Sequence, residues 1–201
     1  MTGPIFLPER RSVKVDRPRM IDFGGALKPI LGGPVTTLMR LGTRFAIDIT
    51  IPLMRTEPDG RTWGGLLCQA KLFGAAIYLR QDGLEIGMPG TPVVNGAGQT
   101  GMTLNLRGFR KGYCMRFDQA FSVIVSGQRY VYRAAADTVA AADGTMALPI
   151  YPMIRKPAPD GATCEVERPV LQGSLAGNEV AWTRLTAPYC DFGTISISED
   201  A

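Results

Sequence analysis

The feature that most constrains the fold is an alternation of apolar and polar side chains with a period of two. Apolar residues occupy every second position from Phe45 to Ile51, and again from Met102 to Leu106. Successive side chains of a β-strand face opposite sides of the sheet, so this pattern is typical of half-buried strands. The alternation therefore predicts a chain that is mainly β.

A β-hairpin is predicted in the second half of the chain. The apolar runs Phe121–Val125 and Arg129–Ala134 are separated by Ser126-Gly127-Gln128. A short loop containing glycine between two such runs indicates an antiparallel pair. Three further strands are predicted at Thr145–Ile150, Thr163–Arg168 and Thr194–Ser198.

One segment has the helical period instead. From Trp63 to Leu79, apolar or small residues recur at spacings of three and four, which predicts an amphipathic helix of about 16 residues. Each glycine in it costs about 1 kcal/mol relative to alanine, so the helix is expected to depend on packing against a sheet or a neighbouring chain. The stripe consists of Trp63, Leu66, Leu67, Ala70, Gly74 and Ile77. The Ala-rich stretch Ala134–Ala142 fits either a helix or an irregular strand.

The whole chain, residues 1–201, is predicted to be a single domain. The 24 glycines and 15 prolines imply frequent turns, but no long polar linker and no internal repeat divides the sequence. The expected architecture is an antiparallel β-sandwich or open barrel with one substantial α-helix. Loops are predicted at Leu31–Pro34, Glu57–Gly60, Gly87–Gly101 and Arg155–Ala162.

The absence of histidine excludes much familiar enzyme chemistry. With no histidine in 201 residues, a Ser-His-Asp triad, a Cys-His pair and an imidazole metal ligand are all impossible. The four cysteines form no C-x-x-C pair, which disfavours a zinc site, and buried free thiols are expected for all four. No catalytic, metal-binding or cofactor-binding residue is therefore predicted.

Gly96-Ala97-Gly98-Gln99-Thr100-Gly101 has the letters of a dinucleotide-binding loop. That motif works only between a strand and a helix, whose N-terminus receives the pyrophosphate. Prolines precede this copy and an alternating strand follows it, so a flexible glycine loop is the better interpretation.

Two other patterns point only weakly to catalysis. Ser174 in Gly173-Ser174-Leu175-Ala176-Gly177 stands one place too early for a nucleophile elbow, and this segment is interpreted as a turn. Paired carboxylates can serve a glycosidase. Glu165 and Glu167, however, would share one face of a strand, where like charges normally indicate solvent exposure. Trp63 and Trp182 are more often core or interface residues than a carbohydrate platform.

Basic residues cluster near the start of the sequence, and a basic N-terminal arm is predicted at about residues 1–28. The net charge of +4 is too small to identify a nucleic-acid-binding protein. Mobility is expected for this arm before assembly, with residues 1–20 removed first by a protease. Neither a signal peptide nor a membrane-spanning segment is predicted. The clustered residues are Arg10, Arg11, Lys14, Arg17, Arg19 and Lys28.

Five residues are predicted to contact other subunits. Trp63 and Leu66 lie on the apolar stripe of the predicted helix. Arg107, Arg110 and Arg116 belong to a second basic group, and arginine suits bidentate ion pairs between subunits.

Several segments resemble the distal tail proteins of long-tailed bacteriophages. The resemblance covers about residues 30–175 and consists of spacing and turn dipeptides, including Leu41–Ala46 followed by the predicted helix. It continues through Gly108–Arg116 and the hairpin at Phe121–Ala134. Two later segments complete it: Ala142–Pro152 and Thr163–Pro169.

This resemblance implies a structural role in a virion. Distal tail proteins are β-sandwich subunits with a helical element that form a ring, commonly of six copies. The ring joins the tail-tube protein to the proteins of the tail tip or baseplate. The expected partners are therefore further copies of this chain and those tail proteins, with neither a membrane nor a specific nucleic acid, in a virion assembled in the host cytoplasm.

Three alternatives stay open. The chain could occupy another ring of the tail, as a tail terminator or connector. It could bind or cleave carbohydrate at the host surface, on the weak basis of two tryptophans and glycine loops in a β-rich chain. An ordinary binding module is the third alternative.

Overall fold

A computed structural model of the chain describes residues 3–9 and 14–200. Within these residues the protein is mainly β, as predicted, with a single α-helix. The strands of the first part are β1 (Ile5–Phe6), β2 (Val15–Ile21), β3 (Gly25–Leu27), β4 (Thr36–Leu38), β5 (Arg44–Thr50), β6 (Met54–Arg55) and β7 (Ala75–Tyr78). The α-helix, α1 (Arg61–Phe73), lies between β6 and β7 and follows an irregular turn at Thr56–Gly60.

The remaining strands follow in chain order without a second helix in the described residues. They are β8 (Gly90–Val94), β9 (Thr103–Phe109), β10 (Cys114–Met115), β11 (Ala120–Val125), β12 (Gln128–Ala134), β13 (Thr138–Val139), β14 (Met146–Tyr151), β15 (Cys164–Glu165), β16 (Val170–Leu175), β17 (Thr183–Arg184), β18 (Tyr189–Asp191) and β19 (Thr194–Glu199).

Two six-stranded sheets form the body of the protein. The first, the terminal sheet, has the order β1-β7-β16-β19-β5-β2, and all its pairs are antiparallel except β1 with β7. The second has the order β15-β11-β12-β14-β9-β8. A bridge between Val93 and Thr163 joins its two edge strands, so this sheet is a nearly closed barrel.

Each sheet encloses its own core, and β12 is shared between them. Tyr130 and Tyr132 of β12 point into the barrel core, whereas Val131 between them packs into the core under the terminal sheet. Because strand side chains alternate between faces, one strand can serve both cores. Helix α1 covers the terminal sheet through Trp63 and Leu67, both fully buried.

The strand predictions at residues 45–51, 102–107, 145–150 and 194–198 are confirmed as β5, β9, β14 and β19. The prediction at Thr163–Arg168 is confirmed only for Cys164–Glu165. The hairpin is confirmed, but its loop has two residues rather than three, because Val125 pairs with Gln128. Ser126 and Gly127 both have positive φ, as a tight hairpin turn of this length requires.

The predicted extent of the helix is wrong. Helix α1 ends at Phe73, and Ala75–Tyr78 form strand β7 between β1 and β16. The break lies at Gly74, whose φ of 86° is a left-handed value that glycine adopts readily. The apolar residues after Gly74 fit both periods, and pairing with two strands decides in favour of a strand.

Two other predicted irregular segments also contain strands. The predicted loop Gly87–Gly101 includes β8, and the predicted turn at Gly173–Gly177 is largely the end of β16. A glycine is needed at position 173 because a side chain there would overlap the carbonyl oxygen of Ser198 in the neighbouring strand β19. Within Ala134–Ala142 the structure has a short strand, β13, and no helix.

Part of the predicted N-terminal arm belongs to the terminal sheet. Val15–Ile21 pair along their whole length with β5, and Ile5–Phe6 pair with β7. Arg10 and Arg11 lie outside the described residues. The remainder of the predicted N-terminal arm, from Asp22 to Lys28, belongs to a β-hairpin that projects from the body.

Candidate assembly surface

The predicted contact residues of the helix belong to the interior of this chain. Trp63 is only 2% exposed and packs in the core under the terminal sheet. Leu66 is partly buried against the same core. Trp63 therefore stabilises the subunit itself and presents no surface to another copy, a correction to its predicted role.

The three predicted arginines occupy two different environments. Arg107 forms a bidentate pair with Asp160, with Nη1 and Nη2 at 2.6 and 3.0 Å from the two carboxylate oxygens. This guanidinium and the Gly96 N–H hold the pKa of Asp160 at about 2. Arg110 and Arg116 are exposed and lie on the turns on either side of β10. Arg116 lies 4.0 Å from a carboxylate oxygen of Asp137, and both exposed side chains can face a partner protein.

A projecting β-hairpin is the most exposed feature of the described chain, and sequence analysis did not predict it. We call residues 22–42 the arm; from here on the word refers to these residues and not to the N-terminal arm predicted from the sequence. Strands β3 and β4 form its stem, and every residue from Gly25 to Leu41 is exposed. At its tip Ile30 and Leu31 are 100% and 98% exposed. The other exposed apolar residues of the arm are Phe23, Leu27, Val35, Leu38, Met39 and Leu41.

The base of the arm is fixed to the body. The Thr43 hydroxyl donates a 2.7 Å hydrogen bond to Oδ1 of Asp22, and the Gly24 N–H donates one of 2.8 Å to the same oxygen. These bonds lower the pKa of Asp22. The Arg44 guanidinium lies 5.0 Å from the centre of the Phe23 ring. The arm therefore leaves the body in a defined direction, although its tip has no contact that buries it.

Part of the signal for the arm is present in the sequence. Ile30 and Leu31 stand between Pro29 and the run Gly32-Gly33-Pro34, which suits the tip of a hairpin. The predicted loop Leu31–Pro34 is confirmed there. Its stem strands have only three residues each, too short for a periodic pattern.

The glycine loop at Gly96–Gly101 lacks the helix that the dinucleotide-binding motif requires. Strand β9 begins at Thr103, so no helix N-terminus is available for a pyrophosphate. The side chain of Gln99 donates to the carbonyls of Asn95 and Gly96 and accepts the Asn105 N–H at 2.7 Å. The loop is cross-linked by hydrogen bonds, which corrects its interpretation as flexible.

The weak catalytic candidates have structural contacts. The Ser174 hydroxyl donates to Asp200 at 2.6 Å. Glu165 is partly buried, in contrast to the prediction, because it accepts hydrogen bonds from Arg129 and from the Ser122 hydroxyl. Buried Trp63 cannot join Trp182 in a carbohydrate platform; the Trp182 ring centre instead lies 5.8 Å from that of Phe192.

The prediction of four buried thiols is half right. Cys164 and Cys190 are buried, Cys68 is exposed on α1, and Cys114 has intermediate exposure. Burial raises the pKa of Cys164 to about 12. In residues 3–9 and 14–200 the acids and cysteines form no cluster that could hold a metal ion. The one helix described there has neither the length nor the apolar character needed to cross a membrane.

The fold and its surface thus define a mainly β protein of two six-stranded sheets and three smaller ones that carries a projecting apolar arm. Comparison of the sequence with models of protein families finds no matching family. Comparison with curated proteins finds no matching sequence.

Proposed function

We propose that this chain is a structural subunit without enzymatic activity that forms a ring, expected to be hexameric, at the distal end of a phage tail. In this role it joins the tail-tube protein to the tip or baseplate proteins of a long-tailed bacteriophage. The proposal combines the resemblance of residues 30–175 with the mainly β architecture. Both belong to the expectations for a distal tail protein.

The observation that carries the proposal is the arm. An isolated subunit gains nothing from placing Ile30 and Leu31 fully in water, and contiguous exposed apolar surfaces mark sites of protein association. A projecting segment that binds a different surface of the next copy makes a heterologous contact, which closes into a ring when the rotation allows it. The arm provides one half of such a contact.

Exposed Arg110 and Arg116 are candidates for contacts with the tube or tip proteins. They lie on the two turns that precede and follow β10 in the chain. Two well-exposed apolar residues lie beside them. Phe117 follows Arg116 in the chain, and a guanidinium nitrogen of Arg110 is 3.2 Å from the sulfur of Met88. This mixture of cations and apolar groups suits the rim and centre of a protein interface.

Native mass spectrometry and negative-stain microscopy of the purified chain test this proposal. The expected result is a closed ring of a single size. The double variant Ile30→Ser/Leu31→Ser should give folded monomers, because it removes apolar groups that the subunit itself does not bury.

A wild-type chain that remains monomeric at high concentration and binds neither tail-tube nor tip proteins would contradict the proposal. Binding assays with each neighbouring virion protein distinguish a distal ring from a terminator or connector ring. A distal subunit should bind both the tube protein and the tip proteins, whereas a terminator should bind no tip protein.

A further inference from the structure

A groove with an apolar floor lies beside α1 on the terminal sheet. Its volume is about 320 Å³. Leu67 of α1, Leu175 at the end of β16 and Phe192 provide apolar walls and floor, and Val180 and Ile195 are partly exposed at its sides. The groove is open to solvent, and small or polar residues such as Ala176, Gly177 and Ser196 complete its lining.

A single carboxylate stands at this groove. Glu179 is exposed, and none of the described cations forms an ion pair with it. The nearest lysine in the groove region, Lys71, is held by the carbonyl oxygens of Leu175 and Gly177. Glu179 is thus the one carboxylate among the lining residues, and the Lys71 ammonium lies at the edge formed by Leu175 and Gly177.

The arm tip has the complementary chemistry. Ile30 and Leu31 offer two aliphatic side chains, and Lys28, two residues before them, is exposed without a carboxylate partner among the described residues. An apolar pair beside one cation matches an apolar floor beside one anion. Complementary charges of this kind set the orientation and register of an interface.

The arm and the groove lie at opposite ends of the terminal sheet. The arm leaves the sheet where Ile21 pairs with Arg44, at the start of β5. The groove includes Thr194, which pairs with Thr50 at the end of β5. Six residues of strand separate the two positions, roughly 20 Å at the usual rise per residue. The two surfaces are therefore distinct and separate, as a head-to-tail contact between identical copies requires.

We propose that the apolar tip of the arm of one copy binds in this groove of a second copy, with Lys28 against Glu179. The inference rests on the proposed ring and names the surface that receives the arm. Within one chain the groove is open and the tip is exposed, so neither satisfies the other. Each copy then buries its own tip in one neighbour and receives the tip of the other.

Sedimentation-velocity measurements of the full chain and its variants test the inference. Glu179→Lys should weaken self-association at least roughly tenfold, because it places like charges together at the interface. Val180→Asp should do the same by bringing a second carboxylate to the side of the groove. Combining Glu179→Lys with Lys28→Glu should recover most of the lost association.

Leu72→Ser is the matched control for these variants. Leu72 is a well-exposed leucine on α1 that lines neither the groove nor the arm. Its replacement should leave association at the wild-type level. Circular dichroism and thermal melting of each variant show whether the fold is retained, which is expected for the exposed positions and must be checked most carefully for Val180, which packs partly against the core.

Cross-linking locates the contact directly. A photoreactive benzoylphenylalanine in place of Ile30 should link to residues 175–181 or 192–196 of another copy, identified by mass spectrometry of mixed light and isotope-labelled chains. Loss of association in the arm variant, with Glu179→Lys and Val180→Asp at wild-type affinity and cross-links elsewhere, would overturn the groove while leaving the ring intact. A monomeric wild-type chain would overturn both.

Discussion

At the residue scale, the buried pair Arg155–Glu199 connects the two halves of the body. Glu199 of β19 is completely buried and Arg155, from the segment after β14, is 4% exposed; their nitrogen and oxygen atoms are 2.8 Å apart. The same carboxylate accepts the N–H groups of Phe45 in β5 and Val131 in β12. One side chain therefore joins the terminal sheet to the barrel.

The surroundings of Glu199 have two opposing effects on its pKa. Burial raises its pKa above the ordinary value, while Arg155 and the two N–H groups favour the charged form and oppose that rise. The Arg155 guanidinium also lies 5.2 Å from the centre of the Tyr130 ring. Removing either member of the pair leaves the other as a charge or an unsatisfied group inside the protein.

Glu199→Gln is expected to lower the free energy of unfolding by about 3–5 kcal/mol, because it leaves the Arg155 cation buried without its anion. Arg155→Met should have a similar effect. The measurement is equilibrium unfolding in urea followed by circular dichroism.

The exposed pair Arg61–Glu57 provides the control for that measurement. Its side chains are 73% and 62% exposed at a separation of 2.8 Å. Arg61→Met should change stability by less than about 0.5 kcal/mol, since a solvated ion pair contributes little. Equal losses from both pairs would contradict the role assigned to the buried one.

At the scale of elements, Gly74 decides where α1 ends and β7 begins. Its conformation, φ 86° and ψ 153°, is one that residues with a side chain rarely adopt. The chain reverses from helix to strand in this single residue. The helical stripe continued past it in the sequence only because Ile77 falls on both periods.

Gly74→Ala is therefore expected to destabilise the protein by about 1–3 kcal/mol. Gly65→Ala, inside α1, should instead stabilise it by about 0.5–1 kcal/mol, because helix formation favours alanine and a Cβ there meets nothing within 4 Å. Thermal melting of the two variants should show shifts of opposite sign. Shifts of the same sign would mean that Gly74 is not strained by a side chain.

Some strands could be predicted from the sequence and others could not, because different interactions stabilise them. Strands β5, β9 and β14 alternate because one face of each is buried, so their pattern is visible in the sequence. Strands β2 and β3 have mostly exposed residues, and hydrogen bonds to a partner strand define them instead. Pairing across a sheet leaves no local pattern to find.

At the scale of the whole molecule, one domain was predicted and two cores with a shared strand are present. The class, mainly β with one helix, followed from the periodicities alone. The nearly closed barrel depends on the contact of Val93 with Thr163, separated by seventy positions in the chain, which no local pattern contains. The candidate surface was missed because the two stem strands of the arm have only three residues each, too short for a periodic pattern.

Limited proteolysis of the free subunit should cut first within residues 25–41. These residues are all exposed, while β2 is paired with β5 throughout its length. Peptides ending between Val15 and Ile21 should appear later, which reverses the order expected from the sequence. The measurement is a digestion time course analysed by mass spectrometry.

Assembly should protect the arm from this digestion. Rings would then survive protease concentrations that convert monomers into two fragments. Cleavage in the arm at one rate in both states would show that the arm remains in solvent after assembly.

The order of strands in the terminal sheet has a consequence for synthesis of the protein. β19 lies between β16 and β5, so the early strands β5 and β2 cannot take their places until the last strand has left the ribosome. The barrel, built from the continuous stretch between β8 and β15, has all its strands earlier. The wall of the groove at Thr194–Ser196 is completed by the same final strand. Under the proposed assembly, a nascent chain exposes its arm before its groove is complete, so a subunit could receive the arm of another copy only after β19 has been synthesised.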